Sequence, residues 1–201
     1  MERFLSGKCM NVGRLTGYAC LFLFFVLVGR GLAQAGDGSL SWKRDVAIRL
    51  GYGAARNTED VVEFGAIFPS VRWRFFHKHL SNGAYLNLST AGEAVLLKYF
   101  RPEGAVGLGV TPWIRVDVEY KSAIPYFQAG LGGIWTNLDI YELGQEFNFT
   151  PQAELGLEYA FSDKFHLNLA VRYQHISNAG LNKNNHGIDS VIGLAGISFP
   201  F

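Results

Sequence analysis

The feature that most constrains the fold of this chain is a set of short segments. In each of them, apolar and polar residues alternate. Between Ile114 and Glu119, for example, every second residue is apolar and the others are charged. Successive side chains of a β-strand point to opposite faces, so this period of two predicts strands. No long stretch after residue 35 shows the period of 3.6 that is typical of helices. The pattern predicts an all-β, antiparallel fold with eight strands, at about residues 45–54, 61–76, 84–99, 105–120, 124–135, 147–161, 165–177 and 188–201.

The predicted connections differ in length from one end of the strands to the other. Residues 121–123 and 162–164 are tight turns, whereas residues 136–146 and 178–187 are longer loops. Short turns at one end and longer loops at the other are typical of outer-membrane barrels. The sequence therefore predicts an eight-stranded antiparallel transmembrane β-barrel of the outer membrane.

The two faces of the predicted strands differ in chemistry, with large apolar residues on one face and small or polar residues on the other. This distribution suits a lipid-facing exterior and a polar lumen. The alternative is a soluble, lipocalin-like barrel, whose apolar face points inward. The 16 Phe and 4 Trp fit the membrane barrel better. Predicted lumen residues are Arg49, Asn168, Arg172 and Gln174, and Pro69 predicts a bend or bulge in the second strand.

The N-terminal residues have the pattern of a secretory signal peptide. A basic start is followed by an apolar run at residues 17–28 and by Ala33-Gln34-Ala35, an A-x-A cleavage site. The run of about 12 residues is short for a membrane-spanning helix, which needs roughly 20. We predict a signal peptide at 1–35, cleavage near Ala35, and an outer-membrane barrel at 36–201.

Cleavage would change the chemistry that is available to the mature chain. Both cysteines, Cys9 and Cys20, lie in the predicted signal, which excludes disulfides and thiol chemistry from the barrel. Cleavage also removes four basic residues and one acidic residue from totals of 18 and 17, which leaves a small acidic excess. That excess argues against a nucleic-acid partner.

A polar pair interrupts the apolar face of the seventh predicted strand. From Phe165 to Tyr173 the odd-numbered residues are large and apolar, and His175 and Ser177 continue that series. Polar residues on an apolar face break the local rule, and such violations are expected at functional sites. Asp189 follows a short loop later. If the alternation persists, all three side chains face lipid near the outer ends of their strands.

His, Ser and a carboxylate are the three groups of a hydrolytic triad. His175 would accept the proton of Ser177, and Asp189 would orient the imidazole. Asn178 and the backbone near Gly180 are predicted oxyanion donors. The alternative, taken from the pattern alone, is that His175 and Ser177 are interfacial polar residues beside an ordinary loop. No metal or other cofactor is needed for this chemistry.

The run His175-Ile176-Ser177-Asn178-Ala179-Gly180-Leu181, followed by Gly187-Ile188-Asp189, resembles the lipid A 3-O-deacylase (PagL) family of eight-stranded outer-membrane enzymes. Weaker similarity extends through residues 125–132 and 147–159. The resemblance implies hydrolysis of the ester-linked 3-hydroxyacyl chain at position 3 of lipid A, without a metal. It places the family's catalytic His and Ser on His175 and Ser177, and its acidic member on Asp189, where the family pattern has Glu.

Three functional hypotheses follow from the sequence. The first is an outer-membrane esterase whose substrate is lipid A, within lipopolysaccharide, and whose surroundings are outer-membrane lipids. The second is a non-catalytic small barrel for adhesion or structure, and the third is another outer-leaflet lipid enzyme, such as a phospholipase or an acyltransferase. A homodimer is left open by the sequence.

Overall fold

The computed structural model describes residues 43–55, 57–181 and 186–201. The predicted signal peptide and its cleavage site lie outside these residues. Every predicted strand is present, with its ends within about three residues of the predicted positions. The strands are β1 Arg44–Ala55, β2 Glu63–His79, β3 Tyr85–Arg101, β4 Val106–Glu119, β5 Ala123–Thr136, β6 Phe147–Ser162, β7 Phe165–Ile176 and β8 Ile188–Pro200.

The strands form one closed antiparallel barrel. Each pairs with the next along the chain, and β8 pairs with β1 to close the sheet. Closure leaves no unpaired sheet edge, which is the condition for spanning a membrane with strands. The predicted all-β, eight-stranded antiparallel barrel is confirmed. Among the residues described, no helix is long and apolar enough to cross a membrane.

The connections between strands alternate between the two ends of the barrel. Residues 56–62, 102–105, 137–146 and 177–187 connect strands at one end, here called the site end, and residues 80–84, 120–122 and 163–164 connect them at the other. Of the bend or bulge predicted at Pro69, the bulge is wrong. The β2–β3 register continues across Pro69 and shifts instead between Glu63 and Phe64 and between Arg74 and Phe76. Proline removes one ladder donor, and here it does so without inserting a residue.

One section of the lumen is lined by charged and polar side chains, whereas the outer face of the barrel is apolar. Arg49, Asn168, Arg172 and Gln174, predicted to line the lumen, are all buried, which confirms their inward direction. Arg172 contacts Glu93 at 2.8 Å and Glu154 at 2.7 Å, and Arg49 pairs with the same two carboxylates. A buried charge without a partner is strongly unfavourable, so this pairing holds the charged residues inside.

Towards the site end, the lumen is filled by an apolar cluster. It includes Phe64, Leu143, Ile176, Ile188 and Ile192, each almost fully buried. Ile176 lies between His175 and Ser177 along β7, and Ile188 directly precedes Asp189. A shift of the strand register by one residue would turn both isoleucines out of the cluster. Their packing therefore sets the outward direction of their neighbours.

Candidate active site

The end of β7 presents His175 and Ser177 on the outer face of the barrel. Both are partly exposed, whereas Ile176 and Asn178, which alternate with them, are buried. Ser177 lies one residue beyond β7, but its backbone still pairs with Phe149 of β6: its N–H donates to the Phe149 carbonyl at 3.0 Å, and its carbonyl accepts from the Phe149 N–H at 2.8 Å. The two side chains therefore share one face, as the alternation predicts.

Asp189 lies directly opposite His175 across the β7–β8 ladder. Ser177 directs its backbone groups to β6, and His175, two residues earlier, has the same orientation. The His175–Asp189 pair is therefore a non-hydrogen-bonded pair, the kind in which antiparallel side chains approach most closely. His175 Nδ1 lies 2.7 Å from Asp189 Oδ1. The two side chains are 31% and 34% exposed, so the contact lies at the surface rather than in the lumen.

This contact defines the chemistry that is open to the imidazole. The Asp189 carboxylate accepts a hydrogen bond from Nδ1–H, which leaves Nε2 as the ring's acceptor in the neutral form. A ring held in this tautomer can take a proton from a hydroxyl through Nε2. The structure thus brings His175 and Asp189 into direct contact and places Ser177 two residues away on the same face.

Tyr173 also belongs to this cluster, although it is not among the site residues predicted from the sequence. Its hydroxyl donates to Asp189 Oδ1 at 2.6 Å, so this oxygen is close to both Tyr173 and His175. Tyr173 precedes His175 by two residues and therefore shares its face. That parity was the signal in the sequence that could have identified it.

The turn after Ser177 engages both predicted oxyanion donors. Asn178 is fully buried, and its Nδ2 donates to the Leu143 carbonyl at 3.0 Å. The Gly180 N–H donates to Asn178 Oδ1 at 2.9 Å. Ala179 and Gly180 both have positive φ, at 54° and 81°, so the chain reverses immediately after Asn178. These hydrogen bonds hold the turn that follows the serine.

Gly187 packs directly against the histidine ring. A Cβ added at this buried glycine would lie 2.7 Å from His175 Cε1 and 3.0 Å from Nε2. Its φ of +70° is also a conformation that side chains disfavour. Glycine is therefore required here both by its backbone and by its neighbour, and the requirement could not be read from the sequence because the contact crosses the loop.

Two other loops at the site end hold the segment that leads into Asp189. The Gly187 N–H donates to the Glu142 carbonyl at 3.0 Å, and the Gly187 carbonyl accepts from Asn57 Nδ2 at 3.2 Å. Asn57 Oδ1 in turn accepts from the Asp189 N–H at 2.6 Å. Asn57 and Glu142 were not identified from the sequence, since nothing in the alternation links these loops.

The contact between Gly187 and the ring leads to a testable prediction. Gly187→Ala should lower esterase activity by about 100-fold, because the added methyl group displaces the His175 ring, and displacements near 1 Å cost catalysis on that order. Activity is measured with folded protein, identified by its heat-modifiable migration on a gel.

Gly83→Ala is the matched control for this prediction. Gly83 has a similar φ of +77° but open space around the added Cβ, and it lies in a turn at the opposite end of the barrel. It carries the backbone strain without the collision. Equal activities for the two variants would contradict a specific role for the Gly187 contact.

Among the residues that the structure describes, no group of three or more His, Cys, Asp or Glu side chains could hold a metal ion. His77 and His79, which are separated by one residue in the sequence, instead contact the ring of Tyr85, with centroid distances of 4.8 and 4.9 Å.

Comparison with known families identifies one match. The sequence profile described as lipid A 3-O-deacylase (PagL) matches residues 63–198, a span that contains His175, Ser177 and Asp189. Comparison with curated protein sequences gives no match.

Solved structures similar to this chain include three crystal structures of small barrels. The outer membrane enzyme PagL is 22% identical with a TM-score of 0.55, and the match covers 78% of this chain and 99% of that one. Neisserial surface protein A (NspA) is 16% identical with a TM-score of 0.60, covering 84% and 99%. Ail, the attachment invasion locus protein of Yersinia pestis, is 9% identical with a TM-score of 0.52, covering 80% and 99%. At these identities the similarity shows the shared fold.

Proposed function

The chain belongs to the lipid A 3-O-deacylase (PagL) family, and on that premise we propose that Ser177 is the nucleophile, His175 the general base and Asp189 the acidic member of its active site. Family membership makes the chain an outer-membrane hydrolase whose substrate is lipid A. The observation that carries the residue assignment is the 2.7 Å contact between His175 Nδ1 and Asp189 Oδ1, on the face that also carries Ser177.

The proposed reaction cleaves an ester in two steps. Ser177 Oγ attacks the carbonyl carbon while His175 Nε2 takes its proton, and the tetrahedral intermediate then expels the sugar oxygen, which receives that proton from His175. The 3-hydroxyacyl group is left as an ester on Ser177. Water attacks this acyl-enzyme while His175 takes a proton from it, the bond to Ser177 Oγ breaks, Oγ receives that proton from His175, and a 3-hydroxy fatty acid leaves.

The position of the three residues suits a substrate that stays in the membrane. They lie at the site end of β7 and β8, above exposed apolar residues of the same face such as Val171 and Val191. We place the site end at the outer leaflet, because the longer loops of such barrels lie outside the cell. An ester of an outer-leaflet lipid can then reach Ser177 without leaving the bilayer.

Asp189 stands where the family pattern has Glu, and the geometry supports the shorter residue as its replacement. Because His175 and Asp189 are a non-hydrogen-bonded cross-strand pair, their backbones approach closely, so the shorter side chain still reaches Nδ1. The carboxylate therefore holds the ring in the tautomer that the reaction needs.

The oxyanion role predicted for Asn178 and Gly180 fits less well than the triad. Asn178 Nδ2 and the Gly180 N–H already donate to other acceptors within the loops, and Asn178 points into the lumen. We propose that the main role of both residues is to hold the turn that follows Ser177. An oxyanion role for Gly180 would require its N–H to leave Asn178 Oδ1 when substrate binds.

Mass spectrometry of lipid A is the direct test of the proposed function. Cells that produce the protein should contain lipid A that lacks one ester-linked 3-hydroxyacyl chain at position 3, and cells without it should retain that chain. The control is an equal amount of folded Ser177→Ala protein in the same membranes. Unchanged lipid A of several types, with correctly inserted wild-type protein, would contradict deacylation and favour the non-catalytic barrel.

Self-association is a separate proposal. The sequence leaves a homodimer open, and chemical cross-linking of the folded protein in membranes measures it. A single band at the mass of one chain across cross-linker concentrations would argue for a monomer.

A further inference from the structure

The start of β8 is held by a side chain from the loop after β1. Among the described residues, the last β1–β8 pair is Ala55 with Ser190. The Asp189 N–H points away from β7, and Asn57 accepts a hydrogen bond from it with its side-chain Oδ1 at 2.6 Å.

The same amide group makes a second contact that completes a clamp. Asn57 Nδ2 donates to the Gly187 carbonyl at 3.2 Å. One side chain thus uses its acceptor on Asp189 and its donor on Gly187, two residues apart along the strand entry. Asparagine presents both groups on one planar amide, which suits this bidentate contact.

The two residues that Asn57 holds are the two that contact the histidine on either side. Asp189 meets His175 at Nδ1, and Gly187 packs against its Cε1 and Nε2 edge. Asp189 pairs with His175 of β7, and Asn57 holds the opposite edge of the same strand end. The Asn57 clamp therefore bears on the position of the carboxylate relative to the ring, although Asn57 is 132 residues away from Asp189 in the chain.

We propose that Asn57 is a positioning residue of the deacylase: it acts through Asp189, by fixing the backbone that aims this carboxylate at His175. The inference rests on the proposed triad. The hydrogen bonds of Asn57 go to Asp189 and Gly187, so it acts on the base through the acid, and its loss should lower kcat and leave KM unchanged.

The test measures release of 3-hydroxy fatty acid from lipid A by Asn57→Ala and Asn57→Leu, each in the wild-type and the Asp189→Ala background. Both substitutions remove two hydrogen bonds, and Leu keeps most of the side-chain volume. In the wild-type background kcat should fall by roughly 30-fold, the size expected for two ordinary hydrogen bonds. In the Asp189→Ala background the same changes should cost less than about twofold, because the group through which Asn57 acts is already gone.

Thr58→Ala is the matched control in the same loop. The Thr58 hydroxyl donates only locally, to the Asp60 carbonyl at 2.6 Å, and this variant should keep wild-type kcat. Heat-modifiable migration identifies the folded fraction of every variant, so activity is compared between folded barrels only.

The outcomes separate the Asn57 proposal from the triad on which it rests. An equal fold-loss in both backgrounds would mean that Asn57 supports the loops in general, and it would overturn the positioning role. So would full activity of both Asn57 variants when Asp189→Ala is impaired. Full activity of Asp189→Ala would instead overturn the triad assignment, and the role of Asn57 with it.

Discussion

Ser177→Ala is expected to abolish release of 3-hydroxy fatty acid from lipid A, lowering the rate by roughly 10⁴-fold or more, while the barrel stays folded. Loss of the proposed nucleophile would remove the acyl-enzyme route altogether. Folding should survive because the hydrogen bonds between Ser177 and Phe149 are made by backbone atoms, which alanine retains. Mass spectrometry of lipid A and heat-modifiable migration measure the two effects in the same sample.

The controls for Ser177→Ala use a second serine and the proposed base. Ser122 lies in a turn at the opposite end of the barrel, so Ser122→Ala should behave as wild type. A serine-directed inhibitor should label the wild-type protein at Ser177 and should fail to label His175→Asn. Deacylation by folded Ser177→Ala at the wild-type rate would rule out this serine as the nucleophile.

Asp189→Ala is expected to have the second-largest effect, with a residual activity about 100-fold above that of Ser177→Ala. In the proposed mechanism the acid orients the imidazole and stabilises its charged form but does not react, so its loss should leave a weakened base rather than no nucleophile. The Tyr173 hydroxyl loses its acceptor in this variant, and it cannot replace the carboxylate charge. The rates of folded protein on lipid A measure the difference.

Two further substitutions at the same position separate charge from geometry. Asp189→Asn keeps the size and an acceptor but removes the charge, and it should fall close to Asp189→Ala. Asp189→Glu restores the family residue and should retain or increase activity if the site tolerates the longer side chain. Wild-type rates for Asp189→Ala and Asp189→Asn would remove the acid from the mechanism.

The barrel and the direction of its side chains follow from information that is local in the sequence. Alternation placed eight strands within about three residues of their observed ends, and it placed Arg49 and Arg172 in the lumen. It succeeds because side-chain direction in a strand has a period of two, and because lipid and lumen impose opposite chemistry on the two faces. The bulge was misplaced because proline marks a missing donor, and only the pairing with β3 decides where a residue is inserted.

The features of the candidate site can likewise be separated into those that the sequence determined and those that the tertiary structure decided. The sequence by itself determined that His175 and Ser177 share the outer face, since they are two residues apart on one strand, and that Asp189 begins the next strand. Only the tertiary structure decided that Asp189 meets His175 Nδ1, that Tyr173 shares the carboxylate, and that Gly187 borders the ring. The Asn57 clamp was least accessible to sequence reasoning, because barrel closure brings β1 beside β8 and joins residues from opposite ends of the chain. Periodicity determines which way a side chain points, whereas register and closure determine what it touches.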